Sequence, residues 1–201
     1  MKKLNKKGFT LIELLAVIVI LAVLLAIAIP AVAKYITSSK KDTFIENAQS
    51  YAKAARSEGL LGSFQFPVEK NDAVVVPFSV LEDALENGGK ESSYGNAFDP
   101  DHSYVVIINT NSGSNPKNEY FIAACDTAGY GIGAKNSTSA GIVGYDALKK
   151  NNIIKFTDCS GTTSIENMVK DTTKLTLVGY NDQVTVRAIV TKADIQNSQG
   201  N

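Results

Sequence analysis

The sequence predicts an α+β fold: a long N-terminal α-helix followed by an antiparallel β-sheet headgroup packed on the distal half of that helix. Three observations predict it. No glycine interrupts residues 9 to 58, and apolar residues there recur at helical spacing. Beyond Gly62 the pattern changes to short β-like runs separated by Gly, Asn, Ser and Asp. The order, helix first and strands after, is that of α+β.

The 201 residues, 44% of them apolar, can bury a core, and one domain with room for a second small one is expected. Twenty basic and twenty acidic residues cancel. No Lys/Arg cluster outside the first seven residues suggests a phosphate-binding face, so no nucleic-acid partner is expected. Removing residues 1 to 8 takes away four lysines and no acid, which leaves 16 basic against 20 acidic residues. A mildly acidic body suits solubility outside a cell. The two cysteines, Cys125 and Cys159, lack the spacing of a metal site. Either they form one disulfide, worth roughly 4 kcal/mol on the chain-entropy account, or they are two separate buried thiols.

Gly8 to Ala33 hold 26 positions and one charge, Glu13, and Leu14 to Ile29 is apolar without a break. A helix of about 20 apolar residues spans a bilayer's hydrocarbon core, so this segment is of transmembrane length. Lys2, Lys3, Lys6 and Lys7 precede it with no acid among them. By the positive-inside rule the N-terminus stays cytoplasmic and the chain beyond the apolar segment goes outward. A removable secretory signal with Ala31–Ala33 as its A-x-A site is the ordinary alternative. Glu13 counts against it, since a carboxylate near the bilayer centre is unfavourable by roughly 3 kcal/mol. The 16-residue apolar core also exceeds the roughly 7 to 15 residues usual for a signal.

Downstream, Val32, Ile36, Phe44, Ala48, Tyr51 and Ala55 form one apolar stripe, while Lys34, Lys40, Lys41, Asp42, Glu46 and Lys53 fill the other faces. Pro30 is expected to kink this helix rather than end it, because proline removes one backbone donor and crowds the preceding turn. Gly59 and Gly62 are the expected stops. The chain then divides into residues 1–8, a greasy helical segment 9–33, an amphipathic continuation 34–57, and a body 58–201 whose end, from about Asp194, reads as a loose tail.

The string Lys7-Gly8-Phe9-Thr10-Leu11-Ile12-Glu13, followed by an apolar run, resembles the class III signal of type IV pilins and related pseudopilins. Pro30 lies at the matching distance, the twenty-second residue counted from Phe9. The resemblance covers roughly residues 2 to 57. It implies that residues 1–8 are a leader cleaved between Gly8 and Phe9, that Phe9 is N-methylated, and that the apolar helix is retained as membrane anchor and later filament core. The implied partners are a prepilin peptidase and methyltransferase, an inner-membrane assembly platform with its motor ATPase, the membrane, and other copies of the chain. No cofactor is implied. The implied location is the cell membrane before assembly and an extracellular filament after it. A pilus subunit for adhesion, surface motility or aggregation is the leading expectation. A pseudopilin of a secretion or DNA-uptake system would use the same assembly chemistry, and a tethered binding ectodomain that never polymerises is a third reading.

The chemistry suits these residue types. Gly8 has no side chain, so a peptidase can approach the backbone at the scissile bond. Cleavage leaves a positive amine on Phe9. That amine and Glu13 are each costly in hydrocarbon alone and neutralise each other if one subunit's amine meets a neighbour's carboxylate. Within one helix, positions 9 and 13 are four apart and could also pair internally. The intermolecular pairing is what the resemblance implies.

In the body, Ala73 to Phe78 reads as a strand, with Pro77 suggesting a sheet edge. Ser79 to Glu82 reads as a capping box opening a short helix that Gly88 and Gly89 end. Ser103–Asn109 and Glu119–Cys125 form a hairpin, and Lys174–Tyr180 with Gln183–Val190 form a second around Asn181 and Asp182. Short helices are expected near Tyr145–Lys150 and Ser164–Lys170, and a strand at Ile153–Thr157. Catalysis finds little support: the single histidine, His102, sits beside Asp99 and Asp101, which fall short of the ligand density of a calcium loop, so no metal is expected. Gly129 to Gly133 lacks the spacing of a dinucleotide loop and reads as a flexible turn. Replacing Gly8 with a bulky residue is expected to make full-length precursor accumulate, visible as a slower band on a denaturing gel. Unchanged processing would remove the assigned cleavage site.

Overall fold

A computed structural model describes residues 10–85, 89–112, 115–170 and 174–198. The elements in chain order are α1 (Leu11–Leu60), β1 (Asp72–Pro77), α2 (Phe78–Leu81), β2 (Tyr104–Asn109), β3 (Asn118–Ala123), β4 (Tyr130–Ile132), β5 (Ile142–Gly144), β6 (Ile153–Lys155), α3 (Ile165–Lys170), β7 (Lys174–Leu175), β8 (Leu177–Val178), β9 (Val184–Ile189) and α4 (Lys192–Ser198). Three single 3₁₀ turns, Glu82–Ala84, Tyr145–Ala147 and Lys150–Asn152, join them. The α+β class with its long N-terminal helix is thus the observed one, while the sheet is mixed rather than wholly antiparallel.

The chain divides into two units, Met1–Ser39 and Lys40–Asn201. In the first, α1 runs unbroken through Pro30, where the missing N–H leaves the Ala26 carbonyl without its helical donor. The boundary falls inside the helix and not after it. The reason is the apolar stripe: Phe44, Ala48, Tyr51 and Ala55 are fully buried and belong to the core of the second unit, whereas Val32 and Ile36 are exposed.

The end of α1 is set by glycine chemistry. Gly62 has φ +86, its N–H bonds the Gly59 carbonyl at 3.2 Å, and the Ser63 N–H bonds the Glu58 carbonyl at 3.0 Å. These two bonds are a Schellman motif, which requires the left-handed residue that glycine adopts without strain. Gly59 does not end the helix but lies within it, where a Cβ would meet the Phe66 ring at 2.4 Å.

Seven strands form one sheet in the order β7-β9-β1-β2-β3-β5-β8, and β4 pairs with β6 in a small second sheet. All side chains of β1 and β2 are buried, so both faces of the main sheet are covered. One face, through Val74, Val76, Val105, Ile107 and Ile122, meets Phe44, Ala48, Tyr51 and Ala55 of α1. The other gathers Val75, Val106, Ile108, Phe121, Ile142, Leu175, Leu177 and Val184 into a second cluster. That second face is covered by the curl of the sheet together with Met168 of α3. β7 and β8 stand at opposite ends of the strand order although Thr176 alone separates them in sequence, which brings the two ends of the sheet together.

This closure corrects the second hairpin. Lys174 and Leu175 do pair antiparallel with Thr185 and Val184, but Leu177 and Val178 leave to pair in parallel with Ile142 and Val143. β1 is likewise no edge strand, lying between β2 and β9. Pro77 is tolerated because β9 pairs only as far as Val75 and the missing donor faces no strand. The capping box at Ser79 does not form: Phe78 N–H bonds the Ser103 carbonyl, the helix starts at Phe78, and Pro77 caps it without a side-chain bond. Gly88 lies outside the described residues. Gly129 to Gly133 is not a flexible turn: Tyr130–Ile132 within it are β4, paired antiparallel with β6. The segment read as a tail from Asp194 contains α4, which buries Ile195 in the core. Thr191 caps that helix, and its backbone and side-chain bonds to the Asp194 carboxylate hold the latter below the usual carboxylate range.

Cys125 and Cys159 are joined by a disulfide with Cα atoms 5.9 Å apart. It encloses β4, β5 and β6. Next to it the buried Asp126 carboxylate accepts bonds from the Ser92 hydroxyl at 2.6 Å and from the Tyr130 and Ala128 N–H groups at 2.8 and 3.0 Å. At the start of the second unit Lys40 stands over the Tyr94 ring, Tyr94 stacks on Tyr130 at 3.7 Å, and Lys155 covers the far face of the pair. This cation–π stack ties α1 to the loop before β2 and to the small sheet.

Tyr51 is the centre of the helix–sheet contact. Its ring stacks on Phe78 at 3.7 Å, with the Phe98 edge against both, while its buried hydroxyl has no hydrogen-bond partner among the described residues. An unpaired buried hydroxyl costs about 1 kcal/mol or more. Tyr51→Phe is therefore expected to raise the midpoint of thermal unfolding by a few degrees in micelles, about 1 kcal/mol. A lower midpoint would show that the hydroxyl is bonded.

Candidate functional site

The first turn of α1 has donors that no preceding turn can satisfy. Thr10 supplies the cap. Its Oγ1 accepts from the Glu13 N–H at 3.3 Å, and Glu13 Oε2 accepts from the Thr10 N–H at 2.8 Å and from the Thr10 hydroxyl at 2.8 Å. This is a reciprocal capping box, with a carboxylate placed where the helix dipole also favours it. Leu14 N–H to the Thr10 carbonyl, at 3.2 Å, opens the helical ladder.

The carboxylate is only half used. Oε2 takes both donors, and among the described residues nothing bonds Oε1 and no cation lies within ion-pair distance of Glu13. Around it the surface is apolar. Fourteen large apolar side chains from Leu11 to Ile29 are each half or more exposed. An 18-residue window of this helix has mean hydropathy 3.2 with no part of it buried. A soluble protein's core helix would bury that window; this helix is long and apolar enough to cross a membrane and has no cover among the described residues.

Of the residues expected to act, Glu13 occupies the first turn of α1 and Pro30 its interior, while Gly8 and Phe9 lie outside the described residues. Cys125 and Cys159 belong to the other unit. His102 and its neighbours are built into a loop: Asp99 Oδ1 accepts from the Asp101 and His102 N–H groups, and Asp101 Oδ1 from the Glu166 N–H. Among the described residues no group of His, Cys, Asp and Glu is placed to hold a metal ion. Sequence reasoning missed Thr10. Its signal was present, since Thr-x-x-Glu ahead of an apolar run is the capping-box pattern.

Thr10→Val removes the hydroxyl and about 1 kcal/mol of cap. Hydrogen exchange of the Glu13 amide in micelles is expected to rise about fivefold, with exchange around Phe44 unchanged. Equal rates in variant and parent would show that the cap does not hold the turn.

The family model for the prokaryotic N-terminal methylation motif matches residues 3–29. No curated protein and no solved structure matches the chain. The matched span includes the capped first turn, the lone carboxylate and the exposed apolar stretch up to Ile29. The chain thus carries the class III signal of the type IV pilins and pseudopilins, a structural family, at the head of a pilin-like α+β architecture.

Proposed function

We propose that the chain is a structural subunit of a type IV pilus. A prepilin peptidase cuts between Gly8 and Phe9, the new amine of Phe9 is methylated, and the helix holds the subunit in the membrane until the assembly platform and its motor ATPase draw it into an extracellular filament. Adhesion, surface motility or aggregation would be the filament's task.

The observation that carries this reading is the uncovered apolar half of α1 with a single half-satisfied carboxylate at its start. In lipid those side chains lack nothing, because acyl chains are as apolar as leucine. Once a subunit leaves the bilayer they face water. Covering even half of the fourteen is then worth on the order of 10 kcal/mol, which a bundle of like helices can supply. Register is a separate matter, since apolar contacts do not choose one. A neighbour's amine meeting Glu13 Oε1 would, because either charge alone in the bundle is costly.

Two substitutions separate the charge from the cap. Glu13→Gln keeps an acceptor for the Thr10 N–H and removes the charge, whereas Glu13→Ala removes both. Both variants are expected to insert and be cleaved like the parent and to yield at least about tenfold fewer sheared surface filaments. Normal filaments from Glu13→Gln would refute the charge-pairing role. Absence of this chain from sheared filaments of the unmodified strain would refute the pilus itself.

A further inference from the structure

We propose that the groove between the distal half of α1 and the β3–β5 part of the sheet binds an acidic carbohydrate, with one carboxylate per sugar unit as in a uronic acid. The groove has a volume of about 670 Å³ and is lined by Lys53 and Arg56 of α1, Tyr120 of β3, and Tyr145 and Asp146 of the 3₁₀ turn after β5. All of these belong to the second unit.

What marks the groove is the number of polar groups that the fold leaves unused. Among the described residues, no ion pair or side-chain hydrogen bond engages Lys53, Arg56, Asp146 or the hydroxyls of Tyr120 and Tyr145. Lys117 and Glu119 also line it but satisfy each other at 2.9 Å. Two cations therefore face one carboxylate, a local positive excess on a body whose acids outnumber its bases once residues 1–8 are removed. The two tyrosines are rigid, since both pack against the main core cluster. Burial pushes the Tyr120 hydroxyl up from its ordinary range while Arg56 pulls it down, so the guanidinium lies close enough to the phenol to act on it.

These groups match one kind of ligand. A guanidinium forks a carboxylate with two parallel bonds, and the ammonium one turn earlier adds charge. A half-buried tyrosine offers an apolar ring to the C–H face of a sugar and a hydroxyl to its polar edge. Asp146 can only accept, and the hydroxyls of a sugar ring supply donors for it. An acidic peptide would answer the cations, but its backbone offers no sugar-like C–H face to the two tyrosine rings. A uronic acid answers both.

The test uses the full chain in detergent micelles, which keeps it independent of filament formation. A tetrasaccharide of alternating glucuronic acid and N-acetylglucosamine is titrated and followed by calorimetry, with the tetrasaccharide of N-acetylglucosamine as neutral control. The acidic sugar is expected to bind at least about tenfold more tightly than the neutral one. The double substitution Lys53→Gln, Arg56→Gln should weaken it by about tenfold with an unchanged unfolding midpoint. Equal binding of the two sugars, no binding of either, or an unaffected double variant would overturn the proposal. So would loss of filaments in cells carrying the double variant at normal thermal stability, because another copy of the chain would then fill the groove.

Discussion

The constraint on which the rest depends is a mismatch between α1 and its surroundings: fourteen large apolar side chains stand along Leu11 to Ile29, each half or more exposed, with no cover among the described residues. Such a surface is stable only in lipid or against other apolar surfaces. The lone acid at its start cannot be explained by that drive, since an apolar rod gains nothing from a carboxylate. In the described residues Glu13 closes the first turn through Thr10 and keeps one oxygen unspent. One side chain can thus hold its helix start in the subunit and still accept a partner.

The second unit is organised around the other half of the same helix. Alanines at 48, 52 and 55 let the sheet approach, and Phe44 and Tyr51 fill the space between them against Phe78 and Phe98. The sheet then has a second face to bury, and the short α3 covers only part of it, through Met168. The sheet curls as well, and the step from β7 to β8 across Thr176 joins its two ends. The disulfide and the buried Asp126 hold the segment that carries β4 to β6, where the hydrophobic clusters alone would leave three short strands weakly tied.

Local motifs were decided by their surroundings. Thr-x-x-Glu at Thr10 and Ser-x-x-Glu at Ser79 are the same pattern, yet only the first forms. At Thr10 nothing among the described residues competes for the backbone. At Ser79 the preceding strand has already fixed Phe78 through the Ser103 carbonyl, so the helix begins one residue early and the serine sits inside it. Thr-x-x-Asp at Thr191 went unread because the residues after it carry little apolar pattern, and a single isoleucine is enough to dock that helix.

By itself, the amino-acid sequence determined the long helix, its greasy and amphipathic halves, the methylation motif with Glu13, and the strands β1, β2, β3 and β9. Each of these is written in a periodicity or a string that acts over one to a few turns or along a single strand. Tertiary structure alone decided which strands are neighbours, the parallel pairing of β1 with β9 and of β5 with β8, the split of Lys174–Tyr180 between two sheet ends, and the groove beside Arg56. Those features bring together residues tens of positions apart. Their pairing follows from burying both faces of one sheet, a global condition that no local pattern records.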